Sequence, residues 1–254
     1  TKMSLIGLML ALLAILGGNM IEGGHPSALL DLPAFLIVIG GTIGAALTQF
    51  PFSVVGKTFK RFKWLLSPPK LDMLEQAQLL ETLAGNARRS GMLALEGMID
   101  DIKDPFLKKG VQMMVDGYEK TKIHEVLENE IEFEHEDLEQ TVKFYEAMGG
   151  YSPTMGIVGA VFGLIHAMGL LDAPDKLGGA IAVAFIATIY GVGAANLIFL
   201  PFGNRYKGFA HDIRHYKEMT LTGILCIVDG ESQARLQVTL EPYLGGHGGQ
   251  KEKA

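Results

Sequence analysis

The sequence is poor in two features that point to particular classes of protein. Its single cysteine, Cys226, allows no disulfide within the chain, which is typical of a reducing compartment. It also has no excess of basic residues. The formal net charge of −6 at pH 7 argues against nucleic acid as a partner.

Charge is almost absent from residues 3–56 and 147–204. The only charged residues there are Glu22, Asp31, Asp172, Asp175 and Lys176. Four apolar runs of about 19 or more residues remain, and each is long enough to cross a hydrocarbon core. The predicted spans are residues 3–21, 32–50, 151–171 and 177–200.

A cleavable signal peptide is the alternative interpretation of the first run, because Lys2 precedes it. No small-x-small cleavage site follows Gly17-Gly18-Asn19, and a second run begins about ten residues later. This arrangement favours a helical hairpin.

Basic residues cluster after the second and fourth runs, and such clusters are retained on the cytoplasmic side of a membrane. They are Lys57, Lys60, Arg61 and Lys63 after the second run, and Arg205, Lys207, Arg214 and Lys217 after the fourth. We therefore predict that both termini are cytoplasmic.

The region from Lys57 to Glu146 carries 31 of the 50 charged residues, so we expect a water-soluble domain there. Apolar residues recur at helical spacing, and Asp104-Pro105 predicts a helix start. One predicted helix has Met92, Leu95, Ile99 and Ile102 on one face. A later stripe comprises Ile123, Leu127, Ile131, Leu138, Val142 and Tyr145 and leads towards the third span. The glutamates beside this stripe indicate a solvated face, with a metal site as the minority interpretation.

The predicted fold is an all-α membrane protein with four transmembrane helices, a helical cytoplasmic domain inserted between spans two and three, and a cytoplasmic C-terminal helix. The predicted domains are a hairpin at 1–52, the cytoplasmic domain at 53–150, a second hairpin at 151–202, and a C-terminal helix and tail at 203–254. That helix is expected to reach about Tyr243, with a disordered tail from Gly245.

None of the four runs contains aspartate or glutamate, and the only ionisable residue well inside one is His166. A central aspartate costs roughly 2.5–3.5 kcal/mol on insertion scales, so such groups mark ion paths where they occur. A lone histidine among apolar residues is interpreted as a packed or interfacial group. The chain by itself therefore lacks a carboxylate to relay ions.

Small residues are abundant in the runs, and they let helices approach closely. They are Gly40, Gly41, Gly44, Ala45, Ala46, Gly156, Gly159, Ala160, Gly163, Gly191, Gly193, Ala194 and Ala195. Some are expected to pack within the chain. The others, with Thr188 and Asn196, are predicted to face other subunits or a partner helix that carries the missing carboxylate. Pro153 and Pro201 indicate either helix termination or a pair of hinges.

Four segments carry a resemblance to a known family. They are FLIVIGGTIG at 35–44, NARRSGMLALE at 86–96, SPTMGIVGAVFGL at 152–164 and IYGVGAANLIFLP at 189–201. On these segments the sequence resembles the flagellar stator A subunits, the MotA/PomA family, over nearly its whole length.

The resemblance implies a multi-pass protein of the bacterial inner membrane, without enzymatic activity or a cofactor. It implies a pentameric ring of A subunits around the transmembrane helices of two B subunits (MotB/PomB), whose aspartate binds the coupling ion. Ion passage would rotate the ring, and its cytoplasmic domains would push on the rotor protein FliG.

The resemblance also assigns roles in the cytoplasmic region. Arg88 and Glu96 match the family's rotor-contacting charged pair, and Arg89 occupies the adjacent basic position. Without the resemblance, all three would be interpreted as ordinary surface charges. Charged contacts suit a stepping partner because they steer and orient it and release quickly.

Four membrane positions match as well. Pro153 and Pro201 match two prolines tied to conformational change in the family, and Thr188 matches a threonine near the B-subunit aspartate. Asp31 resembles the acidic residue at the start of span two. An N-cap ahead of Pro33 explains Asp31 equally well.

Ala160 bears on the coupling ion. Sodium-driven relatives tend to have threonine at this position, where a hydroxyl oxygen can replace part of the hydration shell of a sodium ion. Alanine therefore favours protons over Na⁺.

Two other functions stay open at the level of sequence. An ExbB/TolQ-type energiser shares the ring mechanism but typically has three spans, and the N-terminal hairpin with the Arg88–Glu96 spacing speaks against it. A stand-alone channel or transporter would need polar groups in its own spans, which are nearly absent.

Overall fold

The structure is a computed structural model that describes residues 2–245, with side chains from residue 6 onward. Its regular elements in this range are helices, which confirms the predicted all-α class. They are α1 (Lys2–Ile21), α2 (Leu32–Gln49), α3 (Phe52–Arg61), α4 (Met73–Ser90), α5 (Pro105–Val115), α6 (Lys120–Met168), α7 (Pro174–Val228) and α8 (Gln233–Gly245). Short 3₁₀ segments occupy Pro26–Leu29, Phe62–Leu65 and Met92–Asp101. Apart from Gly245, the predicted tail lies outside the described residues.

Three of these helices, α2, α6 and α7, are long and apolar enough to cross a membrane. The apolar part of α1 with described side chains, Ile6–Ile21, is shorter. Three of the four predicted spans thus lie in helices of sufficient length. A membrane crossing by all four stays a prediction.

Capping side chains fix where several helices begin. The Asp31 carboxylate accepts a hydrogen bond from the backbone N–H of Ala34 at 2.7 Å, so its predicted role as an N-cap is confirmed. Asp104 accepts from the N–H of Phe106 at 3.1 Å, and Pro105 fills the first helical position. The helix predicted from Asp104-Pro105 therefore exists and ends at Val115.

The chain forms two compact units. Within the described residues, the apolar unit comprises residues 2–69 and 138–208, and the charged unit comprises residues 70–137 and 209–245. Each of the long helices α6 and α7 contributes residues to both units. The units therefore divide the chain at different positions from the predicted domain limits of 52, 150 and 202.

The charged unit has a dense apolar core. Leu80, Leu107 and Ile123 are fully buried there, as is Ile224 of α7. Gly110 gives α5 close access to α7, because an ideal Cβ at this position would lie 2.3 Å from Ile224 Cδ1. The apolar stripe predicted for α6 is buried along its length, in the charged unit up to Ile131 and in the apolar unit from Leu138.

Basic side chains of α5 and α7 contact the acidic residues of α6. Lys217 lies 2.5 Å from Glu134, and Arg214 lies 3.1 Å from Glu132. Lys109 of α5 lies 2.7 Å from Glu130. Residues 6–245 contain no cluster of three or more His, Cys, Asp or Glu side chains that could hold a metal ion.

Two predicted helices differ from the structure. The segment Met92–Asp101 is 3₁₀ rather than α-helical, and it follows Gly91 in a left-handed conformation with φ 84°. Leu95 and Ile99 still face the core, as their spacing predicted. The separate helix expected after the fourth span is instead the continuation of α7 to Val228, followed by α8.

Truncation of a core leucine should destabilise the charged unit. Leu107→Ala is expected to lower its unfolding free energy by about 2–5 kcal/mol, because Leu107 is fully buried. The matched control is Leu93→Ala, since the Leu93 side chain is 72% exposed and its loss should change stability by less than about 0.5 kcal/mol. Hydrogen exchange of the α5 backbone amides, measured in the full chain in detergent, gives the change in stability of each variant. An equal loss of stability in the two variants would contradict the assignment of Leu107 to the core.

Candidate functional site

The candidate site lies where α6 and α7 contact each other within the apolar unit. An ideal Cβ at Gly191 would lie 2.6 Å from the carbonyl oxygen of Ser152 and 2.9 Å from the Cα of Gly156. One at Gly163 would lie 2.9 Å from the backbone nitrogen of Ala184. The two helices therefore pack backbone against backbone, and glycine is required for that approach.

Another part of the small-residue set faces outward. Gly40, Gly44 and Gly193 have no non-local atom within 4 Å of an ideal Cβ. The structure thus divides the small residues into a packed group and an open group. The open group leaves room for another helix to approach closely.

The two prolines do not terminate their helices, so the interpretation of helix termination is wrong. Pro153 lies inside α6, which continues to Met168. Pro201 follows a π-helical turn at Ala195–Phe199, in which the N–H of Leu200 bonds to the carbonyl of Ala195. A wider turn before proline accommodates the missing N–H and the bulk of the ring. The alternative interpretation, a pair of hinges, stays a prediction.

A buried hydrogen bond lies next to the first proline. The hydroxyl of Ser152 is fully buried and donates to the carbonyl oxygen of Gly191 at 3.0 Å. This bond joins α6 to α7 beside Pro153, in the layer where Gly156 and Gly191 bring the two backbones together. Apart from the identity of the serine, no pattern in the sequence predicts this bond.

Thr188 and Ala160 lie on the facing segments of α7 and α6. The Thr188 hydroxyl donates to the carbonyl of Ala184 at 3.3 Å, and the residue is half-buried. An ideal Cβ at Gly156 would lie 3.4 Å from the Thr188 Cα. Because Ala160 is one turn further along α6 and also half-buried, the two predicted ion-path residues belong to one region of the helix pair.

Sequence reasoning missed Tyr190. Its hydroxyl accepts a hydrogen bond from the N–H of Asp31 at 3.1 Å and donates to the carbonyl of Leu29. Its ring packs edge-on against Phe35 with centroids 6.3 Å apart. Tyr190 follows Thr188 by two residues on α7. Its hydrogen bonds thus connect α7 to the start of α2, including Asp31. An isolated tyrosine in an apolar run was the only signal in the sequence.

A second missed feature is an aromatic cluster in the apolar unit. Its members are Phe50, Phe62, Phe144, Tyr145, Phe202 and Tyr206. Tyr145 and Tyr206 stack with centroids 5.3 Å apart, and burial raises the pKa of both phenols. The protonated Tyr206 hydroxyl donates to the carbonyl of Arg61 at 2.8 Å. This cluster contacts α6 two to three turns before Pro153 and contacts α7 from Phe202, directly after Pro201, to Tyr206, on the side away from Thr188.

The predicted rotor-contacting residues lie in the charged unit. Arg88 and Arg89 are exposed at the end of α4, and Glu96 is exposed on the following 3₁₀ segment. Arg89 donates to the carbonyl of Gly85 at 3.1 Å. Within the described part of the chain, Arg88 and Glu96 form no ion pair, so both charges are available to a partner.

Known sequences and structures match nearly the whole chain. Residues 98–219 match the model of the MotA/TolQ/ExbB proton channel family, and residues 5–91 match that of the motility protein A N-terminal region. The chain is 35% identical to motility protein A of Bacillus subtilis (strain 168), over 96% of this chain and 90% of the relative. It is 30% identical to the chemotaxis protein PomA of Vibrio alginolyticus, over 92% and 94%.

Solved structures are similar to the chain as well. A chain of MotAB from C. jejuni gives a TM-score of 0.92 at 32% identity, covering 99% of this chain and 98% of that one. A chain of the flagellar MotAB stator complex from Bacillus subtilis gives 0.88 at 34% identity, covering 95% and 96%.

The packed and open glycines should respond differently to a methyl group. Gly191→Ala is expected to destabilise the helix pair by about 1–3 kcal/mol, because its Cβ would meet the backbone of α6. Gly193→Ala, on the same helix, should leave stability unchanged or slightly raised, because space there is open. Thermal unfolding of the purified chain in detergent compares the two variants. A larger loss for Gly193→Ala would contradict the assigned contact.

Proposed function

The chain belongs to the motility protein A family, and we propose that it is the A subunit of a flagellar stator that forms an ion channel with a B subunit and converts ion-motive force into torque. One observation carries this proposal: the four predicted spans contain no Asp or Glu, yet they present open small-residue surfaces. A partner helix with a carboxylate would supply the missing ion-binding group.

The partner is a MotB/PomB-like subunit. The names of the similar structures describe MotAB complexes, which supports this assignment. We further propose that five copies of the chain surround two B-subunit helices. Gly40, Gly44 and Gly193 are the small residues open for contacts with neighbouring copies or with those helices.

The proposed topology has four spans in the bacterial inner membrane, with both termini in the cytoplasm. The lengths of α2, α6 and α7 and the apolar character of α1 support four crossings. The basic residues after α2, and those of α7 from Arg205 to Lys217, support a cytoplasmic location for the regions that follow the second and fourth spans. The charged unit then lies on the cytoplasmic side, where a rotor is accessible.

Arg88, Arg89 and Glu96 form the proposed contact with the rotor protein FliG. Their exposure supports this role, and charges of both signs orient a partner without holding it for long. One elementary charge that crosses 100 mV releases roughly 2.3 kcal/mol, which is available for the movement of this contact.

Movement is proposed to occur at the two prolines. Pro153 and Pro201 each remove one helical hydrogen bond, and they lie between the aromatic cluster and the region of Thr188. Protonation of the B-subunit carboxylate near Thr188 would change the charge beside the helix pair. Bending at the prolines would then carry this change towards the charged unit.

We propose protons as the coupling ion, with Na⁺ as the alternative. Ala160 has no hydroxyl oxygen to replace water around a sodium ion, whereas a proton needs only the B-subunit carboxylate and a water path. Asp31 takes part less directly, because its carboxylate is occupied in capping α2.

An ExbB/TolQ-type energiser is the second candidate function, since one matching family model also covers those proteins. The separate match of residues 5–91 to the motility protein A N-terminal region favours the stator. A stand-alone channel would need ionisable groups of its own at membrane depth, and the only one well inside a predicted span is His166.

Ion flux distinguishes these functions. In proteoliposomes the chain alone is expected to conduct no more than empty vesicles, and addition of its native B subunit should produce proton flux. Vigorous flux without a B subunit would rule out the stator.

Arg88→Glu is a useful companion variant. It should retain the flux but abolish swimming, because only the rotor contact is changed.

The coupling ion is tested in swimming cells. With the native B subunit, motility should persist without sodium and stop when a protonophore collapses the proton gradient. Ala160→Thr should not improve proton-driven torque, because protons do not need the added oxygen. The opposite dependence, loss of motility without sodium and survival of proton-gradient collapse, would overturn the assignment.

A further inference from the structure

The helix α3 has two exposed phenylalanines and begins three residues after the end of α2. Pro51 is extended at its N-cap, with φ −68° and ψ 152°, and turns the chain out of the path of α2. Because α2 is a proposed membrane span, α3 begins where the chain leaves the hydrocarbon core. Its surroundings are therefore the lipid headgroups at that end of the span.

The faces of α3 are clearly divided. Val55 and Thr58 are buried against the rest of the apolar unit, at 7% and 2% exposure. Phe52 and Phe59 are 86% and 72% exposed. They are seven residues apart, so they lie on one face of the helix. Two exposed rings on one face fit the boundary between acyl chains and headgroups, where burial removes apolar surface from water.

The charge of this part of the chain has one sign. Between residues 32 and 71 there is no Asp or Glu, although the whole chain has a net charge of −6. The basic residues there are Lys57, Lys60, Arg61, Lys63 and Lys70.

One of these basic groups is already engaged. Arg61 Nη1 donates to the Thr141 hydroxyl at 2.8 Å, and its guanidinium lies over the ring of Trp64. Lys60 and Lys63 are exposed, and neither forms an ion pair with another described residue. Their ammonium groups are therefore available to an anion next to the helix.

We propose that α3 and the 3₁₀ segment Phe62–Leu65 form a binding surface for anionic phospholipid headgroups. Phe52 and Phe59 insert at the acyl boundary, and Lys60 and Lys63 bind the phosphates. Basic residues beside a span attract acidic lipids in this way, and aromatic residues concentrate at the same depth. The proposal rests on the membrane topology given under the proposed function, but it does not depend on torque or on a B subunit.

The chain contains one tryptophan, Trp64, within this surface, so its fluorescence reports on the adjacent lipid. The full chain is placed in nanodiscs of phosphatidylcholine and phosphatidylglycerol in equal amounts, with bromine on the acyl chains of one lipid at a time. Quenching of Trp64 should be about twofold stronger when phosphatidylglycerol is brominated. Raising the ionic strength should bring the ratio towards one, because the attraction is electrostatic.

The double variant Lys60→Gln with Lys63→Gln should be quenched equally by either brominated lipid, and its overall Trp64 quenching should stay intact. The control is Lys103→Gln with Lys122→Gln, which removes two exposed lysines of the charged unit and should retain the twofold ratio. Equal quenching by both lipids in the unmodified chain would overturn the proposal. So would a Trp64 shielded from both brominated lipids, because another protein surface would then cover the helix. Failure of ion flux with a B subunit would leave the quenching result unaffected.

Discussion

A carboxylate at the centre of a bilayer carries a cost that a single chain meets only with a paired charge, a metal ion or water. This chain places none in its four predicted spans, and the backbones of α6 and α7 instead come into close contact there. Gly156, Gly163 and Gly191 allow that contact, and the buried Ser152 hydroxyl adds a hydrogen bond to it. The chain on its own therefore supplies closely packed helices without a carboxylate, and under the proposed function the carboxylate comes from the B subunit.

Outside the predicted spans, basic and acidic residues are concentrated in different segments of the chain. The stretch after α2 is basic, whereas α6 carries an acidic run that contacts Lys217 and Arg214 of α7. Lys217 is only 14% exposed in its side chain and also lies over the ring of Phe106, 4.5 Å from its centroid. Such a partly buried pair is screened less by salt than exposed ones. In the charged unit, the two long helices are thus joined both by the apolar core and by charge.

Much of the fold could be predicted because local chemistry determined it. The α6 stripe and the start of α5 at Asp104 follow from spacing and capping, which act over a few residues. Glycine spacing alone did not separate Gly191 from Gly193, because the difference lies in what another helix places opposite them. The hydroxyl of Tyr190 bonds to a backbone group 159 residues away, and no periodicity signals such a contact. Similarly, the sequence places Arg88 near Glu96, but their exposure depends on how the core packs beneath them.

The π turn at Ala195–Phe199 has a consequence for how the family can vary in length. A π turn is an α-helix that has absorbed one additional residue. Loss of one residue within 195–199 would restore regular α-helix and keep the orientation of Thr188 on one side and Tyr206 on the other. Elsewhere in α7 a deletion would rotate all later side chains by about 100°. This turn is therefore a point where evolution can change the length of the helix by one residue without re-aiming either of its halves.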